Sequence, residues 1–225
     1  MSKIQQTSLN SLNNKFNGFT RKISGNKKPN IPYICSQIQH FEKQYAKINA
    51  IDFFVKKCLQ FANELKKIGL NDIAGIIFSN LTKIPILSKE NKELVILSGL
   101  KHAKDNEDVI HVLSRLVDLK FLYKNENSKK KYIKTLQEEE KYLTLIINDY
   151  FQSTQKYKTI NRGANSVEKY KFRLATSKVD LAKALLRTEP NIALKKLNEA
   201  NNIFTELNKN KEIGFVKLLI QEIKK

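Results

Sequence analysis

The chain has 225 residues, 41% of them apolar and 28% charged, which is enough apolar material for one or two packed cores and too much for wholesale disorder. Its 41 Lys+Arg outweigh 22 Asp+Glu, leaving a formal net charge of +19 and a surface suited to nucleic acid, anionic lipid or acidic proteins. Seven glycines and four prolines exclude collagen and a turn-rich β-sandwich, no run of 18 apolar residues offers a membrane span, and two cysteines, Cys35 and Cys58, make neither a disulfide framework nor a metal cluster.

In chain order, Met1–Gln6 lacks the long apolar stretch and small-residue cleavage site of a secretory signal, so the chain reads as soluble and cytoplasmic. Residues 1–31 form a basic, Asn/Ser-rich tail, flexible or amphipathic. Within it, Leu9, Leu12, Phe16, Phe19 and Ile23 fall at steps of three and four, one face of a helix. That face suits packing on the body of the protein, or contact with a membrane surface or a partner groove. Gly25, Pro29 and Pro32 break the chain, and a single all-helical domain is expected over 32–225.

Helical periodicity predicts helices over 33–48, 51–68, 71–83, 90–104, 106–123, 129–158, 166–187, 191–208 and 211–224. Gly69-Leu70-Asn71 ends one helix and starts the next, Pro85 and Ser88 separate the following pair, and Pro190 sits in a first helical turn. No segment alternates between apolar and polar residues over strand length, so no sheet is expected. Along 129–158, Ile133, Leu136, Leu143, Ile147 and Tyr150 make a heptad-like seam interrupted by Glu140. The seam reads as a packing spine, with a dimer seam as the alternative.

Positive charge is unevenly spread. Residues 1–41 contain no acid, Lys129-Lys130-Lys131 form a second basic run, and nine cations over 156–187 face only Glu168 and Asp180. The candidate polyanion-binding residues are therefore Lys15, Arg21, Lys22, Lys27, Lys28, Lys156, Lys158, Arg162, Lys169 and Arg173. The competing explanation is compositional: only five residues are arginine, and lysine, asparagine and isoleucine are abundant together, as in an AT-rich genome. Aromatic residues Tyr150, Phe151, Tyr157 and Tyr170 interleave with lysines in a way that suits base stacking, although core packing explains such aromatics more often.

Counted from Gly69, small Ala74, aromatic Phe78 and Leu81 follow at fixed offsets, after a helix lined by Cys58, Phe61, Ala62 and Leu65. Counted from Thr188, Ala193, Leu197 and Ala200 fall in the same register. This pattern resembles a tetratricopeptide repeat, in which a small residue lets two helices approach and large apolar ones fill the next groove. The resemblance implies antiparallel hairpins stacked as a short solenoid and a non-enzymatic scaffold that binds a protein or peptide; it assigns no peptide-clamp residues. An irregular helical bundle is the alternative architecture.

Catalytic chemistry is missing from the sequence patterns. There is no Gly-rich phosphate loop, and His40, His102 and His111 stand in no metal-binding spacing and read as surface or rim residues. Glu138-Glu139-Glu140 reads as a solvated charge run. No enzyme activity and no cofactor are expected. Two function classes lead, and an enzyme without a recognisable motif is a third, which a deep pocket holding several convergent polar groups would revive. The scaffold needs an exposed groove, and a groove filled by the protein's own tail counts against it. The nucleic-acid reading needs the lysines of residues 1–31 and 156–187 to cluster on one face.

Overall fold

The computed structural model describes residues 3–26, 29–126, 128–151 and 165–223. Among them are ten helices and no strand: α1 (Lys3–Ser24), α2 (Ile31–Lys47), α3 (Ile51–Lys67), α4 (Asn71–Leu81), α5 (Lys89–Asp105), α6 (Val109–Asn125), α7 (Lys129–Phe151), α8 (Asn165–Leu185), α9 (Pro190–Glu206) and α10 (Asn210–Ile223). The fold is all-α, as periodicity predicts. Residues 152–158 of the expected long helix lie outside the described residues.

The helix ends follow from local chemistry. Asn30 caps α2, its side chain accepting the Tyr33 amide at 3.0 Å, with Pro32 in the first turn. Ser88 caps α5 by accepting the Asn91 amide at 3.3 Å. Four C-terminal turns share one construction. Asn49, Gly69, Glu107 and Asn208 adopt positive φ, between 53° and 80°. In each, the next amide returns to the carbonyl five residues back, as Leu70 does to Leu65 at 2.9 Å. This turn closes the C-terminal ends of α2, α3, α5 and α9 within three residues. Helices start at residues 31, 51, 71, 89, 109 and 129, so a hairpin takes about 40 residues, longer than the ~34 of a tetratricopeptide repeat.

The chain divides into two compact units, Met1–Asp108 and Val109–Lys225, where one domain over 32–225 was expected. In the first unit, α3 packs on α4, and α2 and α3 also reach α4 and α5 respectively, so hairpins stack. Residues 3–24, expected in the tail, are a helix that belongs to this core. Phe16, 1% exposed, meets Phe41 and Phe54 edge-on at 5.2 and 5.8 Å between ring centroids, and Phe61 at 6.4 Å. The Tyr45 hydroxyl donates to Asn13 Oδ1 at 2.8 Å. The expected apolar face of the tail is thus spent on its own unit: Leu9, Phe16, Phe19 and Ile23 are all buried.

In the second unit, each helix packs on its neighbours in sequence from α6 to α10. One core joins α7 to α10 through Leu136, Ala175, Leu197 and Val216; another joins α6, α7 and α8 through Leu113, Leu143 and Leu174. α7 therefore works as a spine. The residues that carry the repeat resemblance, Ala74, Phe78, Leu81, Ala193, Leu197 and Ala200, are all buried, and Gly69 occupies the left-handed turn position.

Candidate anion-binding cleft

The second unit organises its charges in two ways. The first is a network built inward from α7. Glu139 is fully buried, and this corrects the expectation of a solvated glutamate run. Its Oε1 accepts Arg173 Nε at 2.9 Å and Nη2 at 2.6 Å, while Oε2 accepts Lys120 Nζ and the Ser177 hydroxyl, each at 3.0 Å. Arg173 also donates to the Leu113 carbonyl at 2.9 Å, tying α8 to α6. One residue on, Glu140 accepts Lys178 at 2.5 Å and Lys196 at 2.6 Å, and Lys178 also reaches Glu199 at 2.6 Å. Burial pushes the Lys178 ammonium down, but hydrogen bonds and charge from Glu140 and Glu199 outweigh it and hold its pKa above the usual lysine value. Burial likewise pushes Glu199 up, and Lys178, Lys196 and Lys195 outweigh it, so its carboxyl lies below the usual range.

The second arrangement is an open cleft of about 490 Å³, where the end of α6, the first turn of α7 and the end of α8 meet. Lys124, Lys129, Lys183 and Arg187 line it, all exposed, with Tyr123, Tyr132, Ala184 and Leu186 between them and Asp180 as the sole carboxylate among the described lining residues. None of the four cations is in an ion pair among the described residues; Lys183 Nζ rests over the Phe215 ring, 4.5 Å from its centroid. Burial, then the charges of Asp180 and Glu139, push the Tyr132 phenol up to about 12, so it stays a hydrogen-bond donor.

The sequence candidates fall differently. Lys15, Arg21 and Lys22 are exposed on α1, and Lys169 is exposed on α8. Arg173 is committed to Glu139 and is not available to an outside anion. Lys27, Lys28, Lys156, Lys158 and Arg162 lie outside the described residues. The basic run at 129 and the one ending at 187 are visible in the sequence but not joined there: residues far apart in the chain meet only because α7 and α8 are packed neighbours. Lys124, at the end of α6, carried no signal beyond its charge.

His102 corrects the surface expectation for histidines. It is buried against Phe78, and burial, then Lys66, lower its pKa; His40 and His111 are exposed. Gly75 permits this packing, since a Cβ there would lie 3.3 Å from the His102 ring. Cys58 is fully buried, its thiol pushed up first by burial and then by Glu42, while Cys35 is half-buried. No group of His, Cys, Asp and Glu among the described residues could hold a metal, and no helix among them is long and apolar enough to cross a membrane. No protein-family profile matches the chain, and no curated protein matches it.

Proposed function

We propose that the chain is a non-catalytic helical protein that binds polyanions, with nucleic acid as the ligand its charge fits best. The observation that carries this is the convergence of two separate basic runs on one cleft whose four cations stand in no ion pair among the described residues. The arithmetic of the whole chain supports it. With 41 cations and 22 acids, 19 positive charges stay unmatched even if every carboxylate held one. The chain also places its buried cations on carboxylates, Arg115 on Asp118 and Lys178 on Glu140 and Glu199, and the half-buried Lys120, Arg173 and Lys196 on glutamates. Its open cations are therefore a distinct set, not a random remainder.

A second reading, the protein-binding helical-repeat scaffold, draws support from α10, where Phe215 and Leu218 stand 46% and 60% exposed one turn apart. The buried register of Ala74, Phe78 and Leu81 favours stacked hairpins too. Two observations weigh against it: the hairpins are longer than the repeat they resemble, and the face of α2 and α3 that could hold a partner helix is filled by α1.

The test is an anisotropy titration of the full chain into labelled single-stranded RNA and duplex DNA at about 50 mM salt, with an acidic peptide as control. Both nucleic acids are expected to bind. Binding to neither overturns the polyanion reading and leaves the scaffold as the better account.

A further inference from the structure

The cleft at the meeting of α6, α7 and α8 has the shape and charge of a site, not only of a basic surface. Resting on the polyanion reading, we propose that it seats clustered phosphate groups, either the consecutive phosphodiesters of a single strand or the phosphate tail of a free nucleotide. Its volume, about 490 Å³, lies within the range of small-ligand pockets. Four cations around so small a space create a field that one or two carboxylates do not match, whereas tetrahedral phosphates concentrate charge on compact centres. Arg187 offers a planar fork that grips two phosphate oxygens at once, and Lys124, Lys129 and Lys183 supply point charges around it. The Tyr132 hydroxyl, which keeps its proton, adds a neutral donor. Ala184 and Leu186 give an apolar lining on which a sugar or base edge can rest. Asp180 opposes the anion and makes the cleft weaker than its cations alone would.

The test uses the full chain and three labelled probes: a 20-nucleotide single strand, a nucleoside triphosphate and a poly-glutamate peptide. In one variant Lys124, Lys129, Lys183 and Arg187 are all changed to Ala; because these side chains are exposed, circular dichroism should match wild type. A second variant is Asp180→Asn, and a control variant changes Lys15, Arg21 and Lys22 to Ala. The fourfold variant is expected to bind phosphate probes at least about tenfold more weakly and with a shallower salt slope. Asp180→Asn is expected to bind them several-fold more tightly, which tests the cleft even if the fourfold variant does not fold. Loss on the strand alone assigns the cleft to nucleic acid, and loss on both probes extends it to the free nucleotide. If the fourfold variant binds the strand like wild type while the α1 variant does not, the cleft proposal fails and the polyanion reading stands. If wild type binds no phosphate probe, both fail. Cleft-dependent binding of poly-glutamate alone also overturns the proposal in favour of an acidic protein.

Discussion

Glu139 shows how much of this fold rests on single charged side chains. Its carboxylate is fully buried and accepts four hydrogen bonds from Arg173, Lys120 and Ser177. Removing it strands two cations, and breaking a buried pair from one side costs about 3–5 kcal/mol. Glu139→Ala should therefore lower the urea-unfolding free energy of the chain by about that amount, whereas Glu64→Ala, on an exposed face of α3, should change it by less than about 0.5 kcal/mol. An equal and small effect at both positions would show that the network does not form. The neighbouring Lys178 network sets a pH window. Glu199 is depressed below 4.5, so its contribution is present above that value and is lost as pH falls through the folded-state pKa. Lys178 is raised above 10.5, so its contribution is present below that value and is lost as pH rises further. The stability gap between wild type and Lys178→Met should thus be widest between pH 4.5 and 10.5 and close at both ends, as read from urea midpoints across pH. A gap that stays flat at the ends would contradict it. The sequence pattern hid Glu139 because three adjacent acids read as surface; its burial depends on Arg173 and Ser177, one turn apart on another helix.

At the scale of the element, the chain is governed by its turns. Gly69, at φ +80°, has no atom within 4 Å of where a Cβ would stand. Gly69→Ala therefore carries only a backbone cost, about 1–2 kcal/mol for a non-glycine residue in the left-handed region. Thermal melting should show a correspondingly lower midpoint with unchanged helix content; an unchanged midpoint would mean that the turn does not hold this conformation. Such turns are why helix boundaries were largely legible in the sequence. Gly69, Ser88 and Pro190 act through bonds within a few residues, and the predicted and observed ends agree to within one to three residues over most of the chain. Asn49, Glu107 and Asn208 make the same turn without the glycine that advertises it. The amphipathic face of α1 was equally legible, but not its destination, because Phe16 meets Phe41, Phe54 and Phe61 on two other helices. Burial of Ala193, Leu197 and Ala200 fits any close helix pair, so these positions do not by themselves choose a repeat family.

On the scale of the molecule, each unit has its own apolar core: α1–α5 around Phe16, Phe54 and Leu65, and α6–α10 around Leu136, Leu143 and Leu197. Fragments 1–108 and 109–225 should therefore each be helical and melt cooperatively when made alone; an unfolded fragment would contradict the division. The cleft belongs wholly to the second unit, and its residues come from α6, α7, α8 and the turn that follows α8. That is why the site was only partly legible: the basic runs are visible in the sequence, and their convergence is not. The central claim is that the excess of positive charge is a binding surface and not only a consequence of composition. The most direct test is the slope of log affinity against log salt for the full chain on single-stranded RNA, between about 50 and about 200 mM. The four cations of the cleft predict neutralisation of about four phosphates, a slope of roughly −3 at about −0.7 per phosphate on a single strand. A slope near zero, or no measurable binding at the lower salt, would contradict the account and return the lysines to solvent.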